Sequence, residues 1–181
     1  VSLALTPQID LTSCNSSELI FIDLAKGKKR MGGSIAFQVS SQFLGSVPDV
    51  ECINEMPNLV EALHQLIKEK KIIAYHDRSD GGLICSLLEM AFAGRSGLDI
   101  KLDQICISYD QTFEALFNEE LGIVIQVPSE HIEEVIHLVS EVGFSNEVFR
   151  IASPNKSKLI KLFRGKELAF EWKLGDLLKE W

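Results

Sequence analysis

The sequence has no CxxC pair, no apolar run long enough to cross a bilayer and no excess of basic charge, and each absence removes a class of protein. Its four cysteines, Cys14, Cys52, Cys85 and Cys106, stand far apart. Neither a zinc site nor a redox motif is indicated, and reduced, mostly buried thiols are expected. No apolar stretch reaches the ~18 residues of a membrane span, and the N-terminus lacks the basic-then-apolar layout of a secretory signal. A cytoplasmic chain that does not engage membranes is expected. The net charge of -8 and pI of about 5.0 leave no basic stripe to displace counterions from a nucleic acid backbone. Binding of one small phosphate ligand stays open. Internal repeats and low-complexity tracts are absent too.

What remains is ordinary globular material: 181 residues, 46% hydrophobic, enough for a single domain with a substantial core. "ELIFIDL" (18–24) reads as a buried strand from its branched and aromatic content. After the loop "AKGKKRMGG", Ser34 can cap a helix in which Ile35, Val39 and Phe43 recur every four residues, stopped by Gly45. "PNLVEALHQLIKEKK" starts on Pro57 and carries an apolar stripe of Leu59, Leu63, Leu66 and Ile67. "IIAY" and "GLDIKL" read as strands flanking a nearly all-apolar helix from Leu83 to Ala93, with Gly94 as its expected left-handed cap. "YDQTFEALFNEE" predicts a helix and "LGIVIQV" a central strand. "SEHIEEVIHLVSEVG" predicts an amphipathic helix turned inward through Ile132, Val135, Ile136 and Val139. "EVFRIA", "KLIKLF" and "ELAFEW" complete the strands, and "KLGDLLKEW" starts a last helix. Helices and strands intermix throughout, which predicts an α/β (α+β) fold with a mixed sheet and helices packed on its faces.

The chemistry concentrates in "HDRSDGG". Asp77, Arg78, Ser79 and Asp80 precede Gly81 and Gly82 at the start of the apolar helix. That helix end offers unpaired N–H groups and a partial positive charge, which favour an oxyanion. A carboxylate at Asp77 suits Mg²⁺, which takes one or two protein carboxylates and completes its shell with phosphate oxygens and water. Ser79 can bond a phosphate oxygen, so the pattern points to a magnesium nucleotide. The plainer alternative has Ser79 or Asp80 capping the helix and Asp77 pairing with Arg78 or His76. Lys26, Lys28, Lys29 and Arg30, just before Gly32 and Gly33, form a second phosphate-friendly layout or else a solvated basic loop. The loop matches neither a Walker nor a dinucleotide fingerprint. Glu119 and Glu120 could act as acid and base, although adjacent carboxylates at a helix end are ordinarily solvated. Of the histidines, only His76 stands beside other reactive groups.

"AYHDRSDGGLICSLLEMAFAG", "LFNEELGIVIQV" and "LIFIDLAKGKKRMGGSIAFQV" together resemble the large phosphoribosylformylglycinamidine synthases of purine biosynthesis. The similarity is to the C-terminal lobe of their second aminoimidazole-ribonucleotide-synthetase-like half and covers nearly the whole chain. The resemblance implies an ATP-dependent ligase that uses glutamine-derived ammonia to convert formylglycinamide ribonucleotide to formylglycinamidine ribonucleotide. It implies a metal-binding carboxylate at Asp77, a nucleotide-contacting serine at Ser79, and Mg²⁺ with ATP or ADP as cofactors, the nucleotide being an auxiliary one. It also divides the chain into a tail of a preceding lobe (1–5), the lobe itself (6–173) and the start of a linker toward a glutaminase domain (174–181). The partners implied are the other domains of the same polypeptide and phosphorylated nucleotide ligands, and the fragment alone would be inactive. Lys28, Lys29 and Arg30 match no pattern of the family. A scaffold lobe without a ligand role, or the corresponding lobe of a selenophosphate synthetase or hydrogenase maturation protein, stands as the alternative.

Overall fold

In the computed structural model, residues 5–11, 16–42, 45–106 and 108–181 are described. Seven strands form one mixed sheet: β1 (Ser17–Asp23), β2 (Ala74–Asp77), β3 (Gly97–Lys101), β4 (Gly122–Pro128), β5 (Val148–Asn155), β6 (Leu159–Arg164) and β7 (Glu167–Lys173). Their spatial order is β2-β4-β1-β5-β3-β6-β7, antiparallel except for the parallel pair β3–β6. Six α-helices accompany the sheet among the described residues: α1 (Ile35–Val39), α2 (Met56–Lys68), α3 (Gly82–Gly94), α4 (Thr112–Phe117), α5 (Ile132–Glu141) and α6 (Leu174–Glu180). No helix among the described residues is long and apolar enough to cross a membrane.

The continuous apolar runs of β1 and β4 follow from burial on both faces. In β1, Leu19 and Phe21 enter one core with α3, while Ile20 and Ile22 enter the other with α2 and α5. β4 does the same with Val124 on one side and Ile123, Ile125 and Val127 on the other. Its one polar side chain, Gln126, is fully buried and satisfied. It accepts from Asp10 N and donates to Asp10 O, each at 2.8 Å, and so ties residues 5–11 to the sheet. β3 and β6 are covered on one face only, and Leu98, Ile100, Ile160 and Leu162 accordingly alternate with exposed or half-buried residues.

The helices show how much the periodic pattern carries. Leu59, Leu63 and Leu66 of α2, with Ile132, Val135 and Val139 of α5, lie in the core as their spacing predicts. Ser34 caps α1, accepting from Phe37 N at 3.3 Å. Phe43 and Cys14 lie outside the described residues. Of the other cysteines, Cys52 and Cys106 are buried free thiols and Cys85 is half-buried. The stretch 109–120 is helical over a shorter span than its composition predicts. A 3₁₀ turn leads into α4, which ends at Phe117, and Asn118 turns extended. The residues beyond it are held by long-range contacts described below.

Gly94 has a different role from the expected cap. Arg95 takes the left-handed position at φ 51°, and Gly94 is the last helical residue. A Cβ on Gly94 would collide with the Ile9 carbonyl, so the residue is needed for close approach rather than for its backbone freedom. Gly94→Ala is expected to cost about 1–3 kcal/mol of stability, the usual range for overpacking. Urea unfolding of the variant checks this.

Candidate functional site

Three loops meet at one end of the sheet: the one after β1 (24–34), the one between β2 and α3 (78–81), and the one between α4 and β4 (118–121). Their meeting is enforced by buried charge. Arg78 is buried and donates through Nη2 to Asp23 Oδ1 at 3.1 Å and to Leu121 O at 2.8 Å, and through Nε to Glu120 O. Its guanidinium lies 4.9 Å from the Phe21 ring centre. Burial pulls the basicity of Arg78 below its ordinary value, and the Asp23 and Glu120 carboxylates oppose that pull. Asp23 in turn accepts from Ala25 N at 3.2 Å and Gly27 N at 2.8 Å, which shapes the first loop.

Glu120 has no exposed surface. Arg30 clamps it bidentately, Nε to Oε1 at 2.5 Å and Nη2 to Oε2 at 2.8 Å, and Arg30 N adds a bond at 3.0 Å. The Glu120 carboxylate raises the Arg30 guanidinium above its usual pKa. The solvated pair of glutamates is therefore not what the chain builds, and the basic loop is solvated at Lys26 and Lys28 but anchored at Arg30. Lys26 and Lys28 are likewise engaged, with Glu55 and Glu51, each at 2.7 Å. Lys29 lines a cleft of about 330 Å³ that also touches Asp23, Gly27, Arg78, Gln104 and Asn118. That size is at the lower end for small-molecule sites.

At the mouth of α3, Gly81 and Gly82 adopt φ of 81° and 78°, and the cap carries no side-chain hydrogen bond of its own. The alternative in which Ser79 or Asp80 caps this helix is thus not realised. Glu119 serves instead: its Oε1 accepts from Gly81 N at 2.8 Å and from Ile35 N at 2.9 Å, joining the starts of α3 and α1. Ser86, buried one turn into α3, accepts from Ser79 N at 3.3 Å and donates to Asp77 O at 3.1 Å. It holds the backbone on both sides of Arg78.

Asp77 and Ser79 both lie just before this mouth, but no contact joins their side chains among the described residues. Asp77 is exposed, accepts from the Tyr75 hydroxyl at 2.6 Å, and has no basic partner among the described residues. The basic residues on either side of it in sequence are engaged elsewhere, Arg78 with Asp23 and His76 with Glu89 at 2.5 Å. Ser79 is half-buried, and its hydroxyl has no partner among the described residues. No cluster of three or more His, Cys, Asp or Glu side chains forms a metal cage among the described residues. A lone exposed carboxylate fits Mg²⁺, which keeps waters and phosphate oxygens in its shell, better than it fits zinc or calcium. Local sequence reading missed Asp23 as a loop organiser, and it missed the clasping roles of Glu119 and Glu120.

Comparison with known proteins agrees with this architecture. The family model described as AIR synthase related protein, C-terminal domain, matches residues 24–164. A phosphoribosylformylglycinamidine synthase of Schizosaccharomyces pombe is 41% identical over 169 residues, which are 92% of this chain and 12% of that protein's length. Among solved structures, Thermotoga maritima PurL complexed with ADP superposes with a TM-score of 0.68 at 13% identity, over 96% of this chain and 26% of that one. Hydrogenase maturation protein HypE superposes with a TM-score of 0.56 at 15% identity, over 85% of this chain and 52% of the other. At such identities the structural likeness speaks for the fold.

Proposed function

The chain belongs to the AIR synthase related C-terminal domain family, and from that premise we propose that it is a lobe of a phosphoribosylformylglycinamidine synthase. The whole enzyme would be a cytoplasmic ligase that uses ATP and glutamine to convert formylglycinamide ribonucleotide to formylglycinamidine ribonucleotide. The 41% identity to the fission yeast enzyme supports this reading, as does the order of the three loop motifs in the sequence. The lobe covers residues 6–173, with 1–5 and 174–181 leading to the remaining synthetase lobes and the glutaminase. The isolated lobe is inactive in this reading, since no glutaminase-like cysteine context and no nucleotide-gripping glycine loop occur in it.

Within that enzyme, Asp77 and Ser79 contribute to a magnesium nucleotide site of the auxiliary, ADP-holding kind. The observation that carries this is the contrast before α3: Arg78, His76 and Glu119 are held by charged or backbone partners, while the Ser79 hydroxyl has no partner among the described residues and the exposed Asp77 carboxylate is bonded by the Tyr75 hydroxyl alone. The geometry also narrows the mode of binding. The Gly81 amide is already taken by Glu119, so phosphate contact falls to the Ser79 hydroxyl and to a Mg²⁺ ion on Asp77 rather than to the helix amide. Bound there, the ion would offset phosphate charge, and ligands from a neighbouring lobe would complete its shell. The shared fold with PurL complexed with ADP is consistent with such a role, although that nucleotide belongs to another protein.

The test is the ADP and Mg²⁺ content of the complete synthase after purification. Asp77→Ala should lower both together, and Ser79→Ala should lower ADP with a smaller effect on the metal. A scaffold lobe would instead show altered assembly or thermal stability with nucleotide content unchanged.

A further inference from the structure

Strand alternation puts Tyr75 and Asp77 on one face of β2 and His76 on the other, where it meets Glu89 of α3. The backbone of this short strand is held along its length. Tyr75 N donates to Thr6 O at 3.1 Å, Asp77 pairs with Ile123 of β4, Ser86 Oγ donates to Asp77 O at 3.1 Å, and Arg78 N donates to Gly122 O at 2.7 Å. The Tyr75 ring packs against the core formed with α2 and α5, which fixes where its hydroxyl lies. That hydroxyl donates to Asp77 Oδ1 at 2.6 Å, while Oδ2 has no hydrogen-bond partner among the described residues. A phenol, with an ordinary pKa of about 10, is a donor at neutral pH. The two oxygens of this carboxylate therefore differ, one bonded by a group fixed in the fold and the other left unbonded on an exposed residue.

We infer that Tyr75 is a positioning residue that makes Asp77 a single-oxygen ligand and thereby selects Mg²⁺ over Ca²⁺, an inference that rests on the magnesium reading of Asp77 above. Mg²⁺ holds its ligands at about 2.0–2.1 Å in a near-ideal octahedron, whereas Ca²⁺ takes oxygens at about 2.3–2.6 Å in a looser shell and accepts a carboxylate through both of its oxygens. The two oxygens of one carboxylate stand too close together to fill neighbouring corners of the smaller octahedron. Ca²⁺ gains from the second oxygen, and Mg²⁺ does not. A hydroxyl on Oδ1 therefore removes the binding mode that only the larger ion can use. The same bond holds the carboxylate in one orientation, as hydrogen bonds to metal-ligating carboxylates ordinarily do. An exposed carboxylate is served by water and needs no protein donor for its own stability, so solvation of Asp77 does not account for the bond.

Calorimetric titration of ADP into nucleotide-stripped complete synthase, in Mg²⁺, in Ca²⁺ and without divalent metal, tests this on the wild type, Tyr75→Phe and Asp77→Ala. The wild type should bind ADP more tightly in Mg²⁺ than in Ca²⁺, and equal affinities would overturn the proposal without recourse to any variant. Tyr75→Phe keeps the ring and removes only the hydroxyl. It should move the ratio of the two affinities about ten-fold toward Ca²⁺, the lower end of the effect of losing an outer-shell bond, and leave metal-free ADP binding unchanged. A hydroxyl that only supports the fold would weaken ADP binding alike in all three conditions, and a ratio that stays at the wild-type value would overturn the proposal. Asp77→Ala separates this outcome from failure of the magnesium reading. If Asp77→Ala loses the metal-dependent gain while the Tyr75→Phe ratio is unchanged, the magnesium site stands and selection by Tyr75 fails. If Asp77→Ala keeps that gain, both fail.

Discussion

Arg78→Ala is expected to destabilise the chain by about 3–5 kcal/mol, the range for removing one partner of a buried ion pair. The cost arises mainly from the groups left unpaired. Asp23 would remain buried with its negative charge uncompensated, and the carbonyls of Glu120 and Leu121 would lose their donor. All three loops of the site depend on this guanidinium. The loss should therefore appear as a lower urea midpoint together with faster exchange of the Ala25 and Gly27 amides, which Asp23 holds. The paired change Asp23→Asn/Arg78→Met should recover a substantial part of the stability. It removes both charges and keeps one of the two acceptor oxygens that the Ala25 and Gly27 amides use. If Arg78→Ala costs under about 1 kcal/mol, the pair is no more than an ordinary surface contact, and the organising role given to Arg78 fails.

Gly82→Ala is expected to cost about 2–5 kcal/mol, from two additive causes. Its φ of 78° costs a residue with a side chain roughly 1–2 kcal/mol. A Cβ at this position would also lie 2.7 Å from the carbonyl oxygens of both Leu116 and Asn118, backbone that cannot yield without moving the end of α4, and overpacking of that kind costs about 1–3 kcal/mol. The second cause matters for function, because shifting 116–118 displaces Glu119 and Glu120 with it. Gly33→Ala is the natural comparison: its φ of 79° is nearly the same, but nothing lies within 4 Å of the added carbon. Thermal unfolding should show the Gly82 variant clearly less stable than the Gly33 variant. Equal losses would mean that backbone conformation alone accounts for both.

Arg78 and Gly82 also mark the limit of what can be read along the chain. β1 and β4 are legible because burial on both faces demands unbroken branched apolar runs, and α2 and α5 because a single buried stripe imposes the helical period. The mouth of α3 is legible as a place where chemistry gathers, since glycine, serine and carboxylates crowd the start of an apolar helix. Its wiring is not. Arg78 stands beside Asp77 in sequence yet pairs with Asp23, 55 residues away, and Arg30 reaches Glu120 across 90 residues. Local propensity assigns 118–120 to a continuing helix, and those distant partners override it. A trace of this does exist in the sequence, in the acidic "NEE" set against an apolar strand and the basic "KKR" set against another, two unlike charge clusters without local counterparts. Gly94 misleads for a related reason, because the chain that approaches it comes from Ile9 and lies far away in sequence.

The functional reading turns on whether the exposed carboxylate of Asp77 holds magnesium for a nucleotide. Its most direct test is calorimetric titration of ADP into nucleotide-stripped complete synthase, wild type and Asp77→Ala, with and without Mg²⁺. Mg²⁺ is expected to tighten ADP binding to the wild type, Asp77→Ala to abolish most of this gain, and the two proteins to bind ADP similarly without the metal. If Asp77→Ala binds ADP as tightly as the wild type when Mg²⁺ is present, the carboxylate holds no metal and the assignment is wrong.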